Sequence, residues 1–91
     1  MKKKIAILGS TGSIGRSTLE VIKKDKKNFD VILLTANNNY KKLIQQAKEF
    51  DAENVLIGNK NFYKKVKNSL KKNKIKVYSG NISITKIVSG K

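Results

Sequence analysis

The chain has no cysteine and no histidine in its 91 residues. The first absence excludes disulfides, thiolate nucleophiles and cysteine-based metal sites. The second removes the commonest general base and metal ligand. Acids are scarce as well. Glu20, Asp25, Asp30, Glu49, Asp51 and Glu53 are the whole set, and their spacing shows no metal-ligand clustering. No apolar run reaches the roughly 18–20 residues that span a bilayer. After Lys2, Lys3 and Lys4 comes only Ile5, Ala6, Ile7 and Leu8 before a glycine, too little for the apolar segment of a signal peptide. The expected setting is cytoplasmic, or a plastid-type organelle if a transit segment has been trimmed, with no membrane partner.

What the chain has in excess is lysine. Lys and Arg total 21 against six acids, a net charge of +15. Residues 54–91 carry ten lysines and no acid. That distribution invites a nucleic-acid reading, since cations neutralise phosphates and release counterions. Yet Arg16 is the sole arginine, and base and phosphate recognition favours the guanidinium fork. Interleaved aromatic stacking residues are missing from the basic stretch too. Lysine, asparagine and isoleucine are all abundant, as compositional bias would make them. Charge is therefore read as a solubility and steering property, and nucleic acid is not the expected partner.

Hydrophobic patterning alternates along the chain. Residues 5–8 form a continuous apolar run, the mark of a strand buried on both faces. Ile14, Thr18, Val21 and Ile22 follow as one helical stripe. Residues 31–34 make a second strand. Asn39 is placed to cap a second helix with the stripe Tyr40, Leu43, Ile44, Ala47 and Phe50. Residues 54–58 read as a third strand, and Phe62, Val66, Ser69 and Leu70 as a third helix. Residues 75–78 alternate, suggesting a strand nearer an edge. Ser79, Gly80 and Asn81 turn the chain, and Ile84, Ile87 and Val88 begin a last helix. Strands alternating with helices imply right-handed crossovers and a parallel sheet. The fold class is α/β, a Rossmann-like parallel sheet with alternating helices, incomplete at about four strands. In the common doubly wound order the fourth strand lies beside the first.

The most informative stretch is "IAILGSTGSIGRSTLEVI", residues 5–22. A strand delivers the chain to Gly9, Gly12 and Gly15, spaced GxxGxxG, and a helix follows at once. Gly9 permits a sharp turn, Gly12 leaves room for a pyrophosphate, and Gly15 lets the helix pack on the strand. The helix N-terminus offers free N–H groups to phosphate oxygens. Ser10, Thr11 and Ser13 add hydroxyls, with Ser13 placed to be the N-cap. This is not a Walker loop, because no GK[ST] follows. The alternative is a bare strand-to-helix turn without a ligand. After the second strand the chain reads "TANNNYKK", residues 35–42. An acid there would bind a ribose 2′-hydroxyl and repel a 2′-phosphate. None is present, and Asn37, Asn38 and Asn39 offer amide donors beside Lys41 and Lys42. NADP is favoured over NAD, though asparagines also form polar turns and caps.

With these residues in view, the chain resembles the 1-deoxy-D-xylulose 5-phosphate reductoisomerase family. The resemblance rests on "KKIAILGSTGSIGRSTLEVI", "FDVILLTANNN" and "LIQQAKEFDAENVLIGN". It implies that residues 1–91 are the N-terminal part of an NADPH-binding Rossmann-like domain, with the catalytic and C-terminal domains absent. It implies NADPH contacts at Thr11, Gly12, Ser13 and Ile14, within the Gly9–Gly15 loop, and at Asn37, Asn38 and Asn39. Asn39 matches the family's second cofactor loop, while Asn37 stands for its glycine and Asn38 for its frequent basic residue. Lys41 or Lys42 is a candidate to compensate. The family rearranges and reduces 1-deoxy-D-xylulose 5-phosphate to 2-C-methyl-D-erythritol 4-phosphate in non-mevalonate isoprenoid biosynthesis. It uses Mg2+ or Mn2+ and works as a homodimer. Its metal ligands and catalytic residues lie past residue 91, so the chain alone is expected to be inactive. Two readings stay beside this one: a cofactor-binding fragment of another NAD(P)-dependent oxidoreductase, and a basic nucleic-acid-binding module.

Overall fold

The computed structural model describes residues 2–80, 82 and 84–89. Four strands, β1 (Lys3–Ile7), β2 (Phe29–Ala36), β3 (Asn54–Ile57) and β4 (Lys76–Ser79), alternate with helices α1 (Ser13–Lys23), α2 (Tyr40–Phe50), α3 (Tyr63–Leu70) and α4 (Ile84–Ser89). All neighbouring strand pairs are parallel. The spatial order is β1-β2-β3-β4. The fourth strand therefore pairs with the third, and the doubly wound expectation of β4 beside β1 is corrected. Three successive right-handed crossovers in one direction must put their helices on one side of the sheet. One core accordingly joins Leu19 and Ile22 of α1, Leu43 and Ala47 of α2 and Val66 and Leu70 of α3. It packs them on Ile7, Val31, Leu34, Val55 and Ile57 of the sheet. Helix α4 returns across the other face, where Ile87 packs with Leu33 and Leu56.

Register carries one irregularity. Ile5 faces Val31 but Ala6 faces Leu33, so Ile32 is an extra residue in β2. This β-bulge turns Ile32 and Leu33 to the same second face while Val31 and Leu34 serve the first core.

Winding in one direction leaves β1 at an edge, and this overturns two sequence expectations. Residues 5–8 are not buried on both faces: Ala6 is exposed and Leu8, past the strand's end, is 58% exposed. The α1 stripe is also different. Gly15, Leu19 and Ile22 face the sheet, whereas Ile14 and Val21 are 84% and 67% exposed. Both sets have helical spacing, so periodicity alone could not choose between them. Ser69 likewise stays exposed on α3, where Val66 and Leu70 make the contact. The β4 edge and the Asn39 cap are as expected: the Asn39 side chain accepts from the Lys42 N–H at 3.2 Å. The turn residue Asn81 and the side chain of Val88 lie outside the described residues. On the surface, Lys23 of α1 meets Glu49 of α2 at 3.0 Å. That hydrogen bond, with the charges of Glu49 and Glu20, holds the Lys23 ammonium above its ordinary pKa.

Candidate functional site

A parallel sheet gathers the carboxyl ends of all its strands along one rim. Here that rim carries the glycine loop after β1, the asparagine loop after β2, Gly58 and Asn59 after β3, and Gly80 after β4. Backbone bonding continues past the strand ends. Ser10 N–H donates to Thr35 O at 2.8 Å, Gly58 N–H to Ala36 O at 2.8 Å, and Asn59 N–H to Asn37 O at 2.9 Å.

The three glycines of the first loop answer to different demands. Gly9 has φ +67°, in the left-handed region that side chains avoid. Its N–H is already committed to Thr35 Oγ1 at 2.8 Å. Gly15 is buried, and a Cβ there would lie 2.5 Å from Gly9 O and 2.6 Å from Ser10 Cα. Helix and loop touch at this residue, so no larger side chain fits. Gly12 differs from both. It is exposed, its φ of −80° and ψ of 176° suit any residue, and a Cβ would meet only Gly9 O at 3.4 Å. Folding does not require glycine at this position.

Gly12, not Ser13, is the N-cap of α1, and no side chain caps the helix. That corrects the expectation for Ser13, which is the first helical residue. The N–H groups of the first turn have no intrahelical acceptor, and the exposed Ser13 and Ile14 border them. Glu20, the one acid of α1, lies past its first turn and does not compete there. Thr11 is half-buried. Ser10 is not available to a ligand as its neighbours are. It is fully buried, its Oγ donates to Gln46 Oε1 at 2.7 Å, and Gln46 Nε2 donates back to Ser10 O at 2.9 Å.

In the second loop Asn37, Asn38 and Asn39 are all exposed. Asn39 uses its oxygen on α2. Asn37 packs its carboxamide onto Gly58, where any Cβ would overlap it. Asn38 Oδ1 accepts from Asn59 Nδ2 at 2.9 Å. Beneath this loop Tyr40 stacks on Phe62, with ring centroids 4.5 Å apart. Sequence reasoning missed four supporting residues: Thr35, Gln46, Gly58 and Asn59. Gln46 had left a sign, being a polar residue on the same helical stripe as Leu43 and Ala47. Gly58 and Asn59 had left another, as a glycine-asparagine turn at a strand's carboxyl end. Among the described residues, no group of three His, Cys, Asp or Glu side chains is arranged to hold a metal ion, and no helix is long and apolar enough to cross a membrane.

Known proteins are similar to this chain over nearly its whole length. Residues 5–91 match the family model described as 1-deoxy-D-xylulose 5-phosphate reductoisomerase. The reductoisomerase of Pelagibacter ubique is 52% identical over 85 residues, covering 93% of this chain and 22% of its own length. That of Porphyromonas gingivalis is 49% identical over 89 residues, covering 98% and 23%. Among solved structures, the Zymomonas mobilis reductoisomerase in complex with NADPH superposes with a TM-score of 0.85 at 35% identity, over 88% of this chain and 21% of that one. A reductoisomerase in complex with NADPH, fosmidomycin and magnesium gives 0.86 at 27% identity, over 98% and 22%. The chain thus spans less than a quarter of the length of the curated relatives it matches.

Proposed function

The chain belongs to the 1-deoxy-D-xylulose 5-phosphate reductoisomerase family, and from that premise we propose that it is the N-terminal, NADPH-binding part of such an enzyme. The observation that carries the proposal is Gly12. It is an exposed glycine in an ordinary conformation, with space for a Cβ that the sequence leaves empty. That space lies at the uncapped N-terminus of an 11-residue helix. A diphosphate fits this vacancy: it needs close backbone approach and N–H donors, and it gains from the helix dipole. Gly9 and Gly15 give the loop its shape, while Thr11, Gly12, Ser13 and Ile14 face the ligand. Asn37, Asn38 and Asn39 hold the adenosine side, where the absence of an acid suits a 2′-phosphate.

NADPH supplies a hydride when bound. This chain's residues bind and orient it and do not carry the reaction. The whole enzyme is proposed to rearrange and reduce 1-deoxy-D-xylulose 5-phosphate to 2-C-methyl-D-erythritol 4-phosphate, as a cytoplasmic homodimer. The divalent ion of that reaction does not fit the described residues, which offer it no cluster of ligands. The test is a titration of the complete polypeptide with NADPH and NADH, beside Gly12→Val. NADPH is expected to bind more tightly, and the valine to abolish binding by filling the diphosphate's approach. Unchanged affinity in the variant would refute the cradle.

A further inference from the structure

We propose that Asn59 is a positioning residue for cofactor choice: it fixes the Asn38 carboxamide with its N–H donors outward and so sets the preference for the 2′-phosphorylated dinucleotide. This rests on the NADPH reading above and adds a residue that the glycine and asparagine loops do not contain.

One group in this contact has an unambiguous role. A backbone N–H can only donate. That of Asn61 donates to Asn59 Oδ1 at 2.9 Å, which decides which end of the Asn59 carboxamide is oxygen. Its Nδ2 is then the group facing Asn38, and it donates to Asn38 Oδ1 at 2.9 Å. With that oxygen held, the Asn38 NH2 is turned away from Asn59. No hydrogen bond among the described residues uses it, and Asn38 is exposed at the carboxyl end of β2. The backbone is braced as well. Asn59 N–H donates to Asn37 O at 2.9 Å, and Tyr40 N–H to Asn38 O at 2.7 Å. Asn39 has spent its oxygen on α2. Asn38 is therefore the amide of the three that a side-chain hydrogen bond from another strand's loop orients.

Orientation matters because an amide has two unlike ends. Outward NH2 offers two donors to a phosphate, and outward oxygen repels it. An unheld asparagine samples both and spends binding free energy on choosing. Asn38→Lys would need no such orientation, because an ammonium donates in every direction. Asn59 is the device by which a neutral side chain serves there.

The experiment measures Kd for NADPH and NADH in the complete polypeptide. Asn59→Ala is expected to weaken NADPH about fivefold to tenfold, the scale of one ordinary neutral hydrogen bond, and to change NADH less than about twofold. Asn59→Asp still accepts from Asn61 N–H but cannot donate, so the Asn38 NH2 must turn inward and NADPH falls further than in the alanine variant. In an Asn38→Lys background the cost of Asn59→Ala is expected to vanish, because the coupling runs through the Asn38 amide. Equal losses for NADPH and NADH, or an undiminished cost beside Asn38→Lys, would overturn the inference and leave Asn59 a structural residue. Failure of the unaltered protein to bind NADPH would instead overturn the cofactor reading on which the inference stands.

Discussion

Gly12 and Gly15 stand three residues apart, and the structure separates their roles. Gly15→Ala places a Cβ 2.5 Å from Gly9 O, a backbone atom that cannot move without moving the loop. Overpacking of this kind costs about 1–3 kcal/mol, read as a lower denaturation midpoint. Gly12→Ala meets only a 3.4 Å neighbour, so stability is expected to stay within about 1 kcal/mol while NADPH affinity falls. If both variants lost stability equally, Gly12 would be a folding glycine and the vacancy would have no functional meaning. Gln46 is tested at the same scale. Its two bonds to Ser10 are buried, and Gln46→Leu strands the Ser10 carbonyl. A loss of about 1–3 kcal/mol is expected, since the floor of the glycine loop hangs from this side chain. The glycine spacing was legible in sequence because each glycine interrupts an otherwise apolar or helical pattern. Thr35, Gln46 and Asn59 were not, because their partners lie 26, 36 and 21 residues away.

At the scale of elements, all four strands and all four helices were foreseeable from alternating apolar runs and stripes, and their boundaries moved by only a few residues. Their order was not. A run such as 54–58 states that a strand is buried, not which neighbour buries it, and both winding schemes use right-handed crossovers. The exposed Ile14 and Val21 follow from the order actually adopted, with β1 at an edge. Lys74 adopts φ 59°, between α3 and the approach to β4, where a non-glycine residue in the left-handed region is strained by about 1–2 kcal/mol. Glycine recovers that strain but adds freedom to the unfolded chain. Lys74→Gly is therefore expected to stabilise by about 0.5–1 kcal/mol, measured by urea denaturation. A loss of stability would mean that the lysine stem contributes packing that outweighs the strain.

For the whole molecule, the deciding property is a charge of +15 on 91 residues. Such a surface repels itself, and added salt screens the repulsion within about 8–10 Å at 0.1–0.15 M. Raising salt is therefore expected to raise the melting temperature. The bare β1 edge, with Leu8, Ile14 and Val21 exposed near it, works against independent stability. On the proposed reading of a longer enzyme, the 91 residues alone are expected to melt lower than within it, and a cooperative monomeric transition at the same midpoint would contradict this. The same charge also supplies the test between the two classes of ligand that the sequence left open. A protein that neutralises several phosphates of duplex DNA with lysines loses about 1,000-fold or more in affinity between 50 and 200 mM salt. The proposed NADPH site works differently: its groups are backbone N–H donors and carboxamides held in place by Thr35, Gln46 and Asn59, and a single dinucleotide lacks the condensed counterion atmosphere that duplex DNA releases. Its affinity is expected to fall less than about tenfold over that range. A steep slope for NADPH, matched by tight oligonucleotide binding, would shift function from the rim of the sheet to the exposed Lys64, Lys65 and Lys67 of α3.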